Sequence, residues 1–156
     1  MLHRTVAGLI VTVVAGSGAS GLSTAARPTA VEVQLLSVSP GTPSGDGDWC
    51  VDAAAEVTLT AHVVDLATQS EVTEGTIEWQ DCESQTVGLP KENCGGHGPA
   101  RWVGEVINDL SGDSTPSLQT RFVVPVLGFR VQFRPTAGSN FKRATSVSFN
   151  LDRTCS

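Results

Sequence analysis

Apolar and polar residues alternate with a period of two in stretch after stretch of this chain, and no run repeats at helical spacing. That alternation is what a strand with one buried and one wetted face requires. It is clearest in Glu56 to Asp65 (EVTLTAHVVD), where Val57, Leu59, Ala61 and Val63 fall on one side and Thr58, Thr60 and His62 on the other. Val31 to Val38 (VEVQLLSV) reads the same way, and its adjacent Leu35 and Leu36 predict a bulge or a change of sheet. In Gly75 to Cys82 (GTIEWQDC), Ile77 and Trp79 take the core face while Glu78 and Gln80 point to water. Arg101 to Ile107 and Ser117 to Val126 read as two further strands. Phe129, Val131 and Phe133 then alternate with Arg130, Gln132 and Arg134, and Val147, Phe149 and Leu151 with Ser146, Ser148 and Asn150. The segments are separated by turn-rich stretches: GTPSGDGD, the long run Glu83 to Pro99, and NDLSGDSTP.

The N-terminal segment sets the expected compartment. His3 and Arg4 form a short basic region, Val6 to Ala15 is apolar, and small residues follow to Ala26. This is the layout of a secretory signal peptide, so residues 1–26 are expected to be removed and 27–156 to form one domain. A membrane anchor needs about 20 apolar residues, and Ser17, Ser20, Ser23 and Thr24 interrupt the run too early. A secreted, extracellular protein without a stable membrane span is therefore expected. Outside the cytosol thiols oxidise, so Cys50, Cys82, Cys94 and Cys155 are expected to form two disulfides. None of them has the CxxC spacing of zinc sites, and neither metal nor cofactor is expected. The net charge of -6 has the wrong sign for phosphate backbones, which argues against nucleic acid as a partner.

Seven short strands predict an all-β fold of two packed antiparallel sheets, an immunoglobulin-like sandwich, with an up-and-down barrel as the alternative. Three motifs carry a family resemblance across Glu56 to Leu151: VTLTA at Val57 to Ala61, GTIEW at Gly75 to Trp79, and VQF at Val131 to Phe133 followed by GSNF at Gly138 to Phe141. In this order they resemble the bacterial Ig-like domain that recurs in bacterial surface and secreted proteins. Phe133 stands where that family usually has Tyr, and the four cysteines lie outside its common pattern. In a sandwich the cysteines would gather at one end. Cys50 with Cys155 would staple the ends of the core and Cys82 with Cys94 would close the long loop; the two other pairings stay open.

Chemistry-bearing residues are few. His62 reads as a solvated strand residue; His97, in CGGHGP, has exposed backbone around it but no recognisable nucleophile motif. Asp46 and Asp48 have a spacing that calcium loops use, but Trp49 and Cys50 break the pattern, so solvated turn acids are expected, as for Asp109 and Asp113. Trp79 reads as core, whereas Trp49 and Trp102 neighbour the cysteine end and, with His97, form the candidate binding surface. Arg130, Arg134, Lys142 and Arg143 make a local basic cluster. The expected function is non-enzymatic extracellular recognition or adhesion, binding a protein or carbohydrate. A small-ligand carrier or secreted enzyme inhibitor is the alternative, and a hydrolase using His97 is a remoter one.

Overall fold

A computed structural model describes residues 27–155 apart from 53–54 and 112–114. The expected signal segment and Asp113 lie outside the described residues. The chain folds into β1 (Val31–Ser39), β2 (Thr42–Pro43), β3 (Trp49–Cys50), β4 (Val57–Asp65), β5 (Thr76–Ser84), β6 (Val87–Gly88), β7 (Arg101–Asp109), β8 (Ser117–Thr120), β9 (Val126–Arg134), β10 (Ala144–Thr145) and β11 (Phe149–Asp152). Two 3₁₀ turns, Gly45–Gly47 and Lys91–Gly95, are its helical elements among the described residues.

The strands form two sheets packed as a sandwich, which sets aside the barrel. The smaller has the order β1-β4-β8. The larger runs β2-β3-β11-β9-β5-β6, with β7 on β5 and β10 on β9. Pairing is antiparallel except between β3 and β11, which run parallel. The bulge expected near Leu35 and Leu36 is present, where the β1 register shifts between Leu35 and Ser37.

The inward phases of the strands build one core. Val57, Leu59, Ala61 and Val63 of β4 meet Ile77 and Trp79 of β5 and Phe129, Val131 and Phe133 of β9, all of them fully buried. Burial of this apolar surface is the main favourable term in folding. Trp79 keeps its indole N–H satisfied by donating to Asn108 Oδ1 at 2.8 Å. Gly75 opens β5 at φ 113°, and a Cβ there would come within 2.7 Å of the Arg134 carbonyl oxygen, so only glycine fits.

Two expected strands are shorter than their alternation implies. Ser117 to Val126 is not one strand: β8 ends at Thr120, opposite Val57, where β4 itself begins and pairing runs out. The chain crosses 121–125 irregularly before β9 starts. Val147 is 86% exposed rather than inward. Ser146 ends the ladder there, its N–H donating to the Val131 carbonyl while its hydroxyl accepts from the Val131 N–H. Gln80, expected in water, is buried and accepts from Arg130 Nε at 2.7 Å.

Cys50 is bonded to Cys155 and Cys82 to Cys94. Cys50 stands opposite Asp152, and Asp152 opposite Val126, where β9 begins. Cys82 follows Asp81, whose partner is Phe129, so both bridges sit at this end of the large sheet. Here the chain after β6 wedges between β5 and β9: the Leu89 N–H donates to the Cys82 carbonyl at 2.7 Å, and the Gly128 N–H to the Leu89 carbonyl at 2.8 Å. The turn that follows lies so close that a Cβ on Gly128 would fall 2.3 Å from the Lys91 nitrogen. Asn150 pins the turn, accepting from the Lys91 N–H at 2.8 Å and donating to Glu92. Asp48 completes this knot by accepting from the Asn150 N–H at 2.8 Å and from Lys91 Nζ. Asp48 is thus a structural carboxylate, not a solvated turn acid, while Asp46 remains exposed.

Candidate functional site

The inward phase of β5 does not stop at Trp79. Its next position is Asp81, facing the core side between Phe129 of β9 and Val103 of β7. Only 3% of Asp81 is exposed. Glu83 follows in the same phase. A bulge in β7 supplies a third acid. Trp79 pairs with Val106 and Gln80 with Gly104, leaving Glu105 as the extra residue beside Asp81. Because β8 ends at Thr120, the small sheet does not reach this end, and 121–125 forms a lip over the three acids.

The result is an open cleft of about 370 Å³. Asp81, Glu83 and Glu105 line it together with Val87, Phe122, Val123, Val124 and Leu127. Its rim is apolar and wet: Val123 is 90% exposed and Val87 54%. Arg153 holds the lip, donating to the Phe122 carbonyl at 2.6 Å and lying 5.5 Å from that ring's centre. Two basic residues border the acids, Arg121 on the lip and Arg101 opposite Glu83 in the ladder.

Burial, and then the neighbouring charges of Glu105 and Glu83, push the Asp81 carboxyl up to about 7. Glu105, though exposed on one side, is raised too, first by partial loss of water where it faces the cleft and then by Glu83. Asp81 Oδ1 is buried without a hydrogen-bond partner among the described residues. A buried acceptor left in that condition costs free energy. Chemically, the floor of the cleft is a set of three carboxyl groups bordered by two arginines, and its walls are hydrocarbon.

The structure does not bring the sequence-predicted site residues into one patch. Trp49 pairs with buried Leu151 and faces inward, lining a second cleft with Val33, Leu35, Val147 and Phe149. Trp102 pairs with Cys82 and faces outward beneath Arg130, whose guanidinium lies 4.8 Å from the ring centre. The two tryptophans occupy opposite faces of the large sheet, and four strand spacings separate β3 from β7, about 19 Å. His97 is exposed in the loop after Cys94. His62 stands 2.8 Å from Gln34 Oε1 and 3.6 Å from Glu71. Of the basic cluster, Arg130 is taken up by Gln80 and Trp102, and Arg134 by Glu78.

Sequence reasoning missed Asp81, Glu83 and Glu105. For Asp81 and Glu83 the signal is visible: both continue the phase of Ile77 and Trp79, placing carboxylates on a core face. Glu105 has no such signal, since its direction depends on the bulge. No group of three or more His, Cys, Asp or Glu among the described residues is arranged to hold a metal ion. No helix among them is long and apolar enough to cross a membrane. No family model, curated protein or solved structure matches the chain.

Proposed function

We propose that the protein is an exported, non-enzymatic recognition module of the Ig-like type that binds a protein or carbohydrate outside the cell. The strand order supports the Ig-like reading: among the seven strands of four residues or more, the first, second and fifth (β1, β4, β8) share one sheet, while the seventh, sixth, third and fourth (β11, β9, β5, β7) follow one another in the other. Two disulfides suit an oxidising compartment. The observation that carries the recognition reading is the cleft at the disulfide end, whose acid floor sits inside an exposed apolar rim. Exposed valines around a polar centre provide the apolar contact area and the orienting groups that binding sites combine. A second reading, a small-ligand carrier, is favoured by the cleft's volume, which falls within the range of ligand pockets.

The test begins with the full chain expressed for export, where N-terminal sequencing of protein in the medium should find a start near residue 27. The recovered protein is then immobilised and exposed to extracellular proteins and a glycan panel. Val123→Glu should abolish the specific capture and Trp102→Ala should preserve it. Capture lost equally in both variants, or in neither, overturns the placement of the contact surface on this rim. No capture of protein or glycan, with a small molecule retained instead, replaces the leading reading with the carrier.

A further inference from the structure

We propose that the Asp81, Glu83 and Glu105 cleft binds a primary ammonium group carried on a short apolar stem. This rests on the recognition reading and names the chemistry its site selects. Three observations converge on it. First, Asp81 is one of the residues lining the cleft and its Oδ1 is buried without a hydrogen-bond partner, so an acceptor has been withdrawn from water and left unused. A donor entering the cleft would satisfy it, and a cationic donor makes the stronger, charge-assisted hydrogen bond. Second, Glu83 and Glu105 place two more carboxyl groups beside the buried Asp81, and their mutual repulsion is relieved by a positive charge. Third, Phe122, Val124 and Leu127 wall the approach with hydrocarbon, which suits a methylene stem behind the charged head. Metal is a poorer occupant, because the three acids do not converge in a metal-holding arrangement.

The charged groups facing the site are Asp81 and Glu83 from β5, Glu105 from β7, Arg101 across the ladder from Glu83, and Arg121 from the lip. With Asp81 titrating near 7, a bound cation displaces a proton, so affinity rises as pH increases from 5 to 8. The ammonium has two sources, a free amine or the side chain of a lysine in a partner.

The test is a titration of the oxidised protein, followed by NMR, with n-pentylammonium, N-acetyl-lysine amide and, as an uncharged control, n-pentanol. Saturable shifts at Glu105, Phe122 and Val123 are expected for n-pentylammonium at pH 8, at least tenfold tighter than for n-pentanol. They should weaken about tenfold at pH 5 and about tenfold in Asp81→Asn, whose side chain keeps the shape while losing the charge. N-acetyl-lysine amide binding alongside n-pentylammonium identifies a side chain as the source; n-pentylammonium alone identifies a free amine. The proposal is overturned if n-pentanol binds as tightly, if Asp81→Asn binds the amine unchanged, or if no probe binds. Val123-dependent capture that persists despite such a failure leaves the recognition reading standing. An amine that binds as expected but is recovered chemically altered retains this site and removes the non-enzymatic reading.

Discussion

At the residue scale, Asp81 makes stability depend on pH in an unusual direction. Its carboxyl titrates near 7 in the folded chain but near 4 when unfolded. Between those values the folded state holds a proton that the unfolded state releases, so stability falls as pH rises from 4 to 7 and then levels off. The raised Glu105 adds a slope of the same sign. Asp109 and Asp152 act oppositely and lower down: hydrogen bonds from Ser111 and Thr154 hold both below the usual carboxylate range, and their contribution is lost only at acid pH. Asp81→Asn is therefore expected to flatten the slope between 4 and 7 and to stabilise the protein at pH 8 by roughly 1–3 kcal/mol. Thermal melts at pH 5 and pH 8 check it, and a variant less stable than the parent at pH 8 refutes it.

At the scale of elements, the wedge after β6 and the turn beyond it are held by one covalent tie in addition to the Asn150 and Asp48 hydrogen bonds. Cys82 and Cys94 close a loop with a sequence separation of 12, and replacing both with alanine should cost about 3 kcal/mol on the chain-entropy account. Hydrogen exchange at Leu89 and Gly128 should accelerate in that variant, while the β1–β4 amides are slowed as in the parent until global unfolding. Equal acceleration in both sheets would show that the wedge has no independent stability. Much of this architecture is legible in the chain because period-two alternation reports burial directly: β4 is legible almost residue for residue, and the Leu35–Leu36 doublet marks a real bulge. What escapes is everything set by a partner strand. The β8 hydrophobics continue past Thr120, but β4 offers nothing to pair with them. Asn150 sits in a polar phase yet is buried, because a distant turn folds over it. Glu105 faces the cleft only because β7 bulges against β5.

For the whole molecule, the disulfides and the cleft share one end and are physically connected. Arg153, which anchors the lip at Phe122, lies two residues before Cys155, and Cys155 is tied to Cys50. That connection also sets how the protein responds to force. A pull between residue 27 and residue 155 travels along 27–50, crosses the sulfur bridge and leaves at the other end. Strands β4 to β11 lie off that load path. Stretching should peel β1 from β4 and then β3 from β11 and stop there, the released segment reaching about 80 Å end to end at the length of an extended chain. Single-molecule pulling of the oxidised protein should find this short step, and a thiol reductant should lengthen it severalfold. The covalent staple near one end thus caps how far the chain can be drawn out, so that tension passes through sulfur while the acid-floored cleft remains folded.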